Sequence, residues 1–165
     1  YTAIDDFDSF FMRFRQVIDK IEMCNIKSLL IILLLAYTFI GITGLSEKQM
    51  KAATKLVTNV CQPKTKATAE DIEKMHKGDW DVDHTAMCYL HCAFNMYKLL
   101  NKDNTLNYES AMQQIGQLPE SYRDSAKMCT EQCRNSAVTL TDKCVASYEL
   151  SKCMYFCNPE KYFLP

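Results

Sequence analysis

The sequence predicts an all-α fold: a six-helix bundle, stapled by disulfides, that encloses a hydrophobic cavity. Three observations predict it. Apolar residues recur at helical spacing through most of the chain, and no strand-like alternation of useful length appears. Nine cysteines in 165 residues are many for an ordinary cytosolic protein. Methionines, flexible and polarizable, suit the wall of an adaptable pocket or the gaps of an ordinary core, and the aromatic residues carry the same two readings. The length allows one domain. A formal charge of -1 with both signs dispersed argues against a nucleic-acid partner, which would need a basic stripe.

The cysteine count depends on where the working chain begins. From Met23 the sequence reads MCNIKSLLIILLLAYTFIGITG, with Lys27 in a short leading region, an apolar run from Leu29 to Ile42 and small residues ending at Gly44. That is the layout of a secretory signal peptide, and the run is short of the about 20 residues a spanning helix needs. Residues 23–44 are therefore expected to be removed, and a signal anchor left in place is the alternative. Residues 1–22 precede the methionine that best starts this signal and are set aside as an upstream segment. The expected domain is 45–165, which keeps 15 basic and 15 acidic residues. Cys24 is lost with the signal, leaving Cys61, Cys88, Cys92, Cys129, Cys133, Cys144, Cys153 and Cys157. An even set in an exported chain reads as a disulfide framework.

The helices follow in order. Ser46 is a plausible cap for the first, which carries Met50, Ala53, Leu56, Val57 and Val60 at helical spacing and is expected to end at Cys61 before Pro63. Thr68, followed three residues on by Asp71, caps a short second helix that Gly78 closes. The third begins near Asp81 or Asp83 and runs to about Leu100; Cys88 and Cys92 lie one turn apart on one face of it, so each can be tied to a different element. NKDNTLN is a polar turn. The fourth helix, YESAMQQIGQL, stops at Leu118 and Pro119. The fifth extends from Glu120 to about Val138, and the sixth from a Thr141 cap to Asn158 and Pro159. The apolar tail KYFLP completes the chain.

Six of the cysteines are separated by 26, 3, 40, 10 and 8 residues, in order Cys61, Cys88, Cys92, Cys133, Cys144 and Cys153. This pattern resembles that of the insect odorant-binding proteins, the pheromone and general odorant carriers. The resemblance spans the predicted mature chain, and the 3- and 8-residue intervals are its specific part. It implies bridges Cys61–Cys92, Cys88–Cys144 and Cys133–Cys153, whereas spacing alone leaves 105 pairings open for eight cysteines. Cys129 and Cys157 depart from the six-cysteine form. If the fifth and sixth helices run antiparallel with Cys133 facing Cys153, one turn back on one and one turn forward on the other brings Cys129 to Cys157, a fourth bridge.

The resemblance implies a secreted carrier of a small hydrophobic ligand such as an odorant, a pheromone or a fatty-acid-like molecule. An olfactory receptor and a weak homodimer are the further partners it allows. Candidate wall residues are Val57, Met75, Trp80, Met96, Leu99, Met112, Ile115, Met128 and Tyr148, with Tyr162, Phe163 and Leu164 from a tail folded back onto the cavity. Any of these also serves as ordinary core, and only convergence in space separates the two roles. Asn95, three residues past Cys92, is the candidate polar anchor. His76, His84 and His91 are either pH sensors or solvated surface groups. A metal site from His84, Cys88, His91 and Cys92 lacks the usual knuckle spacing, so no metal and no cofactor is expected. No phosphate loop, nucleophile elbow or paired carboxylates point to an enzyme. A saposin-like membrane-active protein is the rival, disfavoured by the cysteine spacing and the near-zero charge, and no stable membrane insertion is expected. A non-olfactory carrier of body fluids is the rival within the same class.

Overall fold

The computed structural model describes residues 44–163 and 165, together with Ser28. The upstream segment 1–22, the signal segment apart from Ser28 and Gly44, Cys24 and Leu164 lie outside the described residues. From Gly44 onward the described residues form six α-helices: α1 (Glu47–Thr65), α2 (Ala69–His76), α3 (His84–Met96), α4 (Tyr108–Gln117), α5 (Glu120–Gln132) and α6 (Lys143–Cys157), then a 3-10 turn, Pro159–Lys161. Among the described residues the only strand-like pairing is an isolated bridge between Leu100 and Leu106. None of the described helices is long and apolar enough to cross a membrane.

Local chemistry sets the helix starts. Ser46 Oγ accepts from Gln49 N while Gln49 Oε1 accepts from Ser46 N at 2.8 Å, a reciprocal capping box on α1. Thr68 Oγ1 accepts from Asp71 N at 3.0 Å and donates to Asp71 Oδ2 at 2.8 Å. Asn107 caps α4 by accepting from Ser110 N. The cap of α6 is Asp142 rather than Thr141, because its carboxylate reaches both Cys144 N and Val145 N.

Three helix ends differ from expectation. α1 continues through Pro63 to Thr65: the missing N–H costs only the bond to the carbonyl of exposed Asn59, and Thr65 Oγ1 donates to Cys61 O at 2.9 Å. The chain then leaves the helix at Lys66 with φ 61°. α3 ends at Met96, four residues early, since Lys98 turns left-handed at φ 56° and Leu99 N donates back to Phe94 O. α5 ends at Gln132 rather than near Val138. Glu149 on α6 accepts from Val138 N, Thr139 N and Thr139 Oγ1, pinning that stretch as a loop.

α3 packs most extensively on α6 and next on α1, so the cysteine-bearing third helix is central. Four bridges fix this arrangement: Cys61–Cys92 joins α1 to α3, and Cys88–Cys144 joins α3 to α6. Cys133–Cys153 and Cys129–Cys157, with Cα separations of 5.8 and 5.7 Å, join α5 and its end to α6. Buried apolar side chains fall into three clusters. The largest gathers Val57, Ile72, Met75, Trp80, Tyr89 and Leu90; a second centres on Phe94, Leu106, Ala111 and Leu150; a third on Met50, Ile115 and Leu118.

Candidate functional site

Between the second and third clusters lies a cavity of about 140 Å³. α1 contributes Met50, Ala53 and Thr54, with Leu45 just ahead of it; α4 contributes Ala111, Gln114, Ile115 and Gln117, followed by Leu118. α5 adds Ser125, Ala126, Cys129 and Thr130, and α6 adds Met154. Phe94, Tyr97, Leu99 and Leu106 form the floor that enters from the end of α3 and its following loop. Asn158, Lys161, Tyr162 and Phe163 close the space from the C-terminal segment.

The hollow has a cause in side-chain size. Ala53, Ala111 and Ala126 bring small side chains to one space from three different helices, of which α1 is bridged to α3 and α5 to α6. Leaving such a volume unfilled forfeits about 3 kcal/mol of packing. Each bridge contributes about 2–4 kcal/mol, so the staples more than offset the void.

The tail is held by specific contacts. Tyr162 and the fully buried Ser151 share a hydrogen bond of 2.6 Å between their hydroxyls. The Tyr162 ring packs edge-on against Tyr155 and Trp80, with centroids 5.3 and 6.3 Å away, and Phe163 packs edge-on against Tyr122 at 5.9 Å. Burial raises the Tyr162 phenol well above the usual tyrosine value, so it stays protonated. Tyr97 in the wall is pushed up to about 12 by burial first and by neighbouring Tyr89 second. Asn158 Nδ2 donates to Ser125 Oγ at 2.8 Å, tying the end of α6 to α5 beside the cavity.

Of the residues singled out in the sequence, Leu99, Ile115, Tyr162 and Phe163 stand in the cavity wall. Val57, Met75 and Trp80 are instead solid core of the largest cluster, with Tyr148 packed against it. Tyr148 Oη donates to Trp80 O, but Trp80 Nε1 has no hydrogen-bond partner among the described residues. Met112 packs on the third cluster behind the wall. Met128 is 54% exposed, and Met96 is 41% exposed with its sulfur 3.6 Å from Cys61 Sγ. Asn95 is exposed and donates to His91 O, with its amide 2.7 Å from His91 Nε2, so it faces away from the guest space. Leu164 lies outside the described residues. As wall residues the alanines, Thr130 and Lys161 were not singled out, Ala53 figuring only in the apolar spacing of the first helix; small residues on the inner helix faces were the available signal.

The histidines are dispersed. His84 Nε2 lies 2.9 Å from Asp142 Oδ2, His91 Nδ1 lies 3.3 Å from Ser147 Oγ, and the His76 ring meets Tyr162 edge-on at 5.9 Å. Burial lowers the imidazoles of His76 and His91. His84, Cys88 and Cys144 bring their ligand atoms within 4.8 Å of one another, but the two sulfurs are joined in a bridge and offer no thiolate.

The model of the PBP/GOBP family matches residues 44–156. General odorant-binding protein 72 of Anopheles gambiae is 27% identical over 121 residues, 73% of this chain and 99% of that protein. General odorant-binding protein 19a of Drosophila melanogaster is 30% identical over 115 residues, 67% of this chain and 78% of that protein. In structure the chain is similar to odorant binding protein 4 of the predator Chrysopa pallens. The TM-score is 0.69 and the identity 40%, covering 73% of this chain and 99% of the other.

Proposed function

The chain belongs to the PBP/GOBP family, and from that premise we propose that it is an exported carrier that encloses one small hydrophobic molecule and moves it through aqueous fluid. One observation carries the proposal: an apolar hollow that helices α1, α4 and α5 wall and the C-terminal segment closes. Binding then comes from apolar burial at about 25 cal/mol per Å², with few hydrogen bonds to impose selectivity. Residues 23–44 serve export in this picture, and 45–165 form the carrier. The whole is a binding protein rather than an enzyme.

The test is displacement of a fluorescent apolar probe by small alcohols, esters and hydrocarbons, with a liposome-binding assay run alongside. Saturable probe binding at one site per chain without liposome binding supports the carrier. Liposome binding without probe binding supports the membrane-active rival.

A further inference from the structure

The cavity wall contains a single charged residue, Lys161, at the end of the 3-10 turn. Its position is fixed from both sides. Asn158 Oδ1 accepts from Lys161 N at 3.3 Å, and the ammonium lies 4.7 Å from the centroid of the Tyr122 ring. Among the described residues no carboxylate pairs with it: the ion pairs that form belong to Lys74, Lys77 and His84. Glu160, the adjacent residue, is exposed and makes none.

An unpaired half-buried cation at the edge of an apolar hollow is complementary to an amphiphile. Resting on the carrier function proposed above, we infer that Lys161 selects guests with a carboxylate head. The apolar chain occupies the cavity and the carboxylate pairs with the ammonium where the wall reaches solvent. The volume agrees with this division. About 140 Å³ is below the about 300–1,000 Å³ of sites that engulf a drug-sized molecule, so a longer guest keeps its head at the rim. A charge-assisted hydrogen bond is roughly twice as strong as a neutral one, so a carboxylate gains at Lys161 what an ester or alcohol of equal length does not.

The experiment measures displacement of a bound apolar naphthylamine probe, with all bridges intact, by a straight-chain carboxylic acid, its methyl ester and the corresponding alcohol. The acid-to-ester affinity ratio is taken within each variant, so that a loss common to all ligands cancels. The expected ratio is about ten in the wild type, or about 1.4 kcal/mol. It falls to about one in Lys161→Met, persists in Lys161→Arg, and shrinks as salt rises from about 0.02 to about 0.5 M. A wild-type ratio near one with the probe bound, or a ratio that survives Lys161→Met, overturns the role of Lys161 and leaves the carrier function standing. Failure of the wild type to bind the probe removes the carrier function and this selectivity with it.

Discussion

Ala111 is buried on α4 and borders the hollow, so Ala111→Leu places three further carbons where the guest space now lies. Burying them contributes at most about 2.4 kcal/mol at about 0.8 kcal/mol per carbon. An imperfect rotamer fit takes back about 1 kcal/mol or somewhat more. The net gain of about 1 kcal/mol raises Tm by about 4 °C in a domain of this size. The same carbons exclude the guest, and probe affinity falls at least tenfold. With probe at about 100 times its wild-type Kd, the wild type gains about 2.7 kcal/mol from binding, whereas a tenfold weaker variant gains about 1.4 kcal/mol. Thermal unfolding followed by circular dichroism, with and without probe, measures both quantities. Stability and binding thus move in opposite directions, which a surface binding site would not produce. A variant with lowered Tm and undiminished probe affinity refutes both the void and its role.

Deleting Lys161 through Pro165 removes Tyr162 and Phe163 from the wall, so ligand affinity drops while far-UV circular dichroism stays unchanged; a loss of helicity would instead make the tail a structural strut. Replacing Cys129 and Cys157 together by Ser opens a bridge between residues 28 apart and costs about 3.5 kcal/mol by loop entropy, hence more than about 10 °C in Tm. A shift under about 2 °C would show that this bridge constrains nothing. Burial holds His76 and His91 below the ordinary histidine value, opposed by Glu73 at His76, while at His91 Lys143 and Lys64 add to the lowering and Asp142 opposes it. The unfolded chain therefore binds more protons as pH falls through about 6.5, and stability declines from pH 7 toward pH 5. A flat Tm over that range, or a slope unchanged when both residues become Gln, counts against the assignment.

The six helices among the described residues were legible from apolar spacing together with caps and prolines, although α6 shows little of a buried apolar face, since it buries Ser147 and Ser151 and exposes Phe156. Their ends were misread where an apolar pattern outlasts its helix: Leu99 and Leu100 continue the spacing of α3, yet Lys98 turns the chain and Leu99 ends in the cavity wall. The fourth bridge was also legible, since Cys129 and Cys157 stand one turn from Cys133 and Cys153 on α5 and α6. The hollow was less so, for a physical reason. Val57, Met75 and Trp80 are large, apolar and inward-facing, and those properties make them pack solidly around Tyr89 and Leu90 rather than border a space. A void forms where side chains are too small to meet, and Ala53, Ala111 and Ala126 have little hydrophobic pattern to show. Three alanines on separate helices become a wall only when the helices are held at a fixed register. Here the Cys129–Cys157 bridge fixes one of those helices, α5, against α6, and Cys129 itself borders the cavity. The cysteine pairing therefore anchors α1 and α5, the helices of Ala53 and Ala126, to the central helices, while α4 and its Ala111 are placed chiefly by packing against α5.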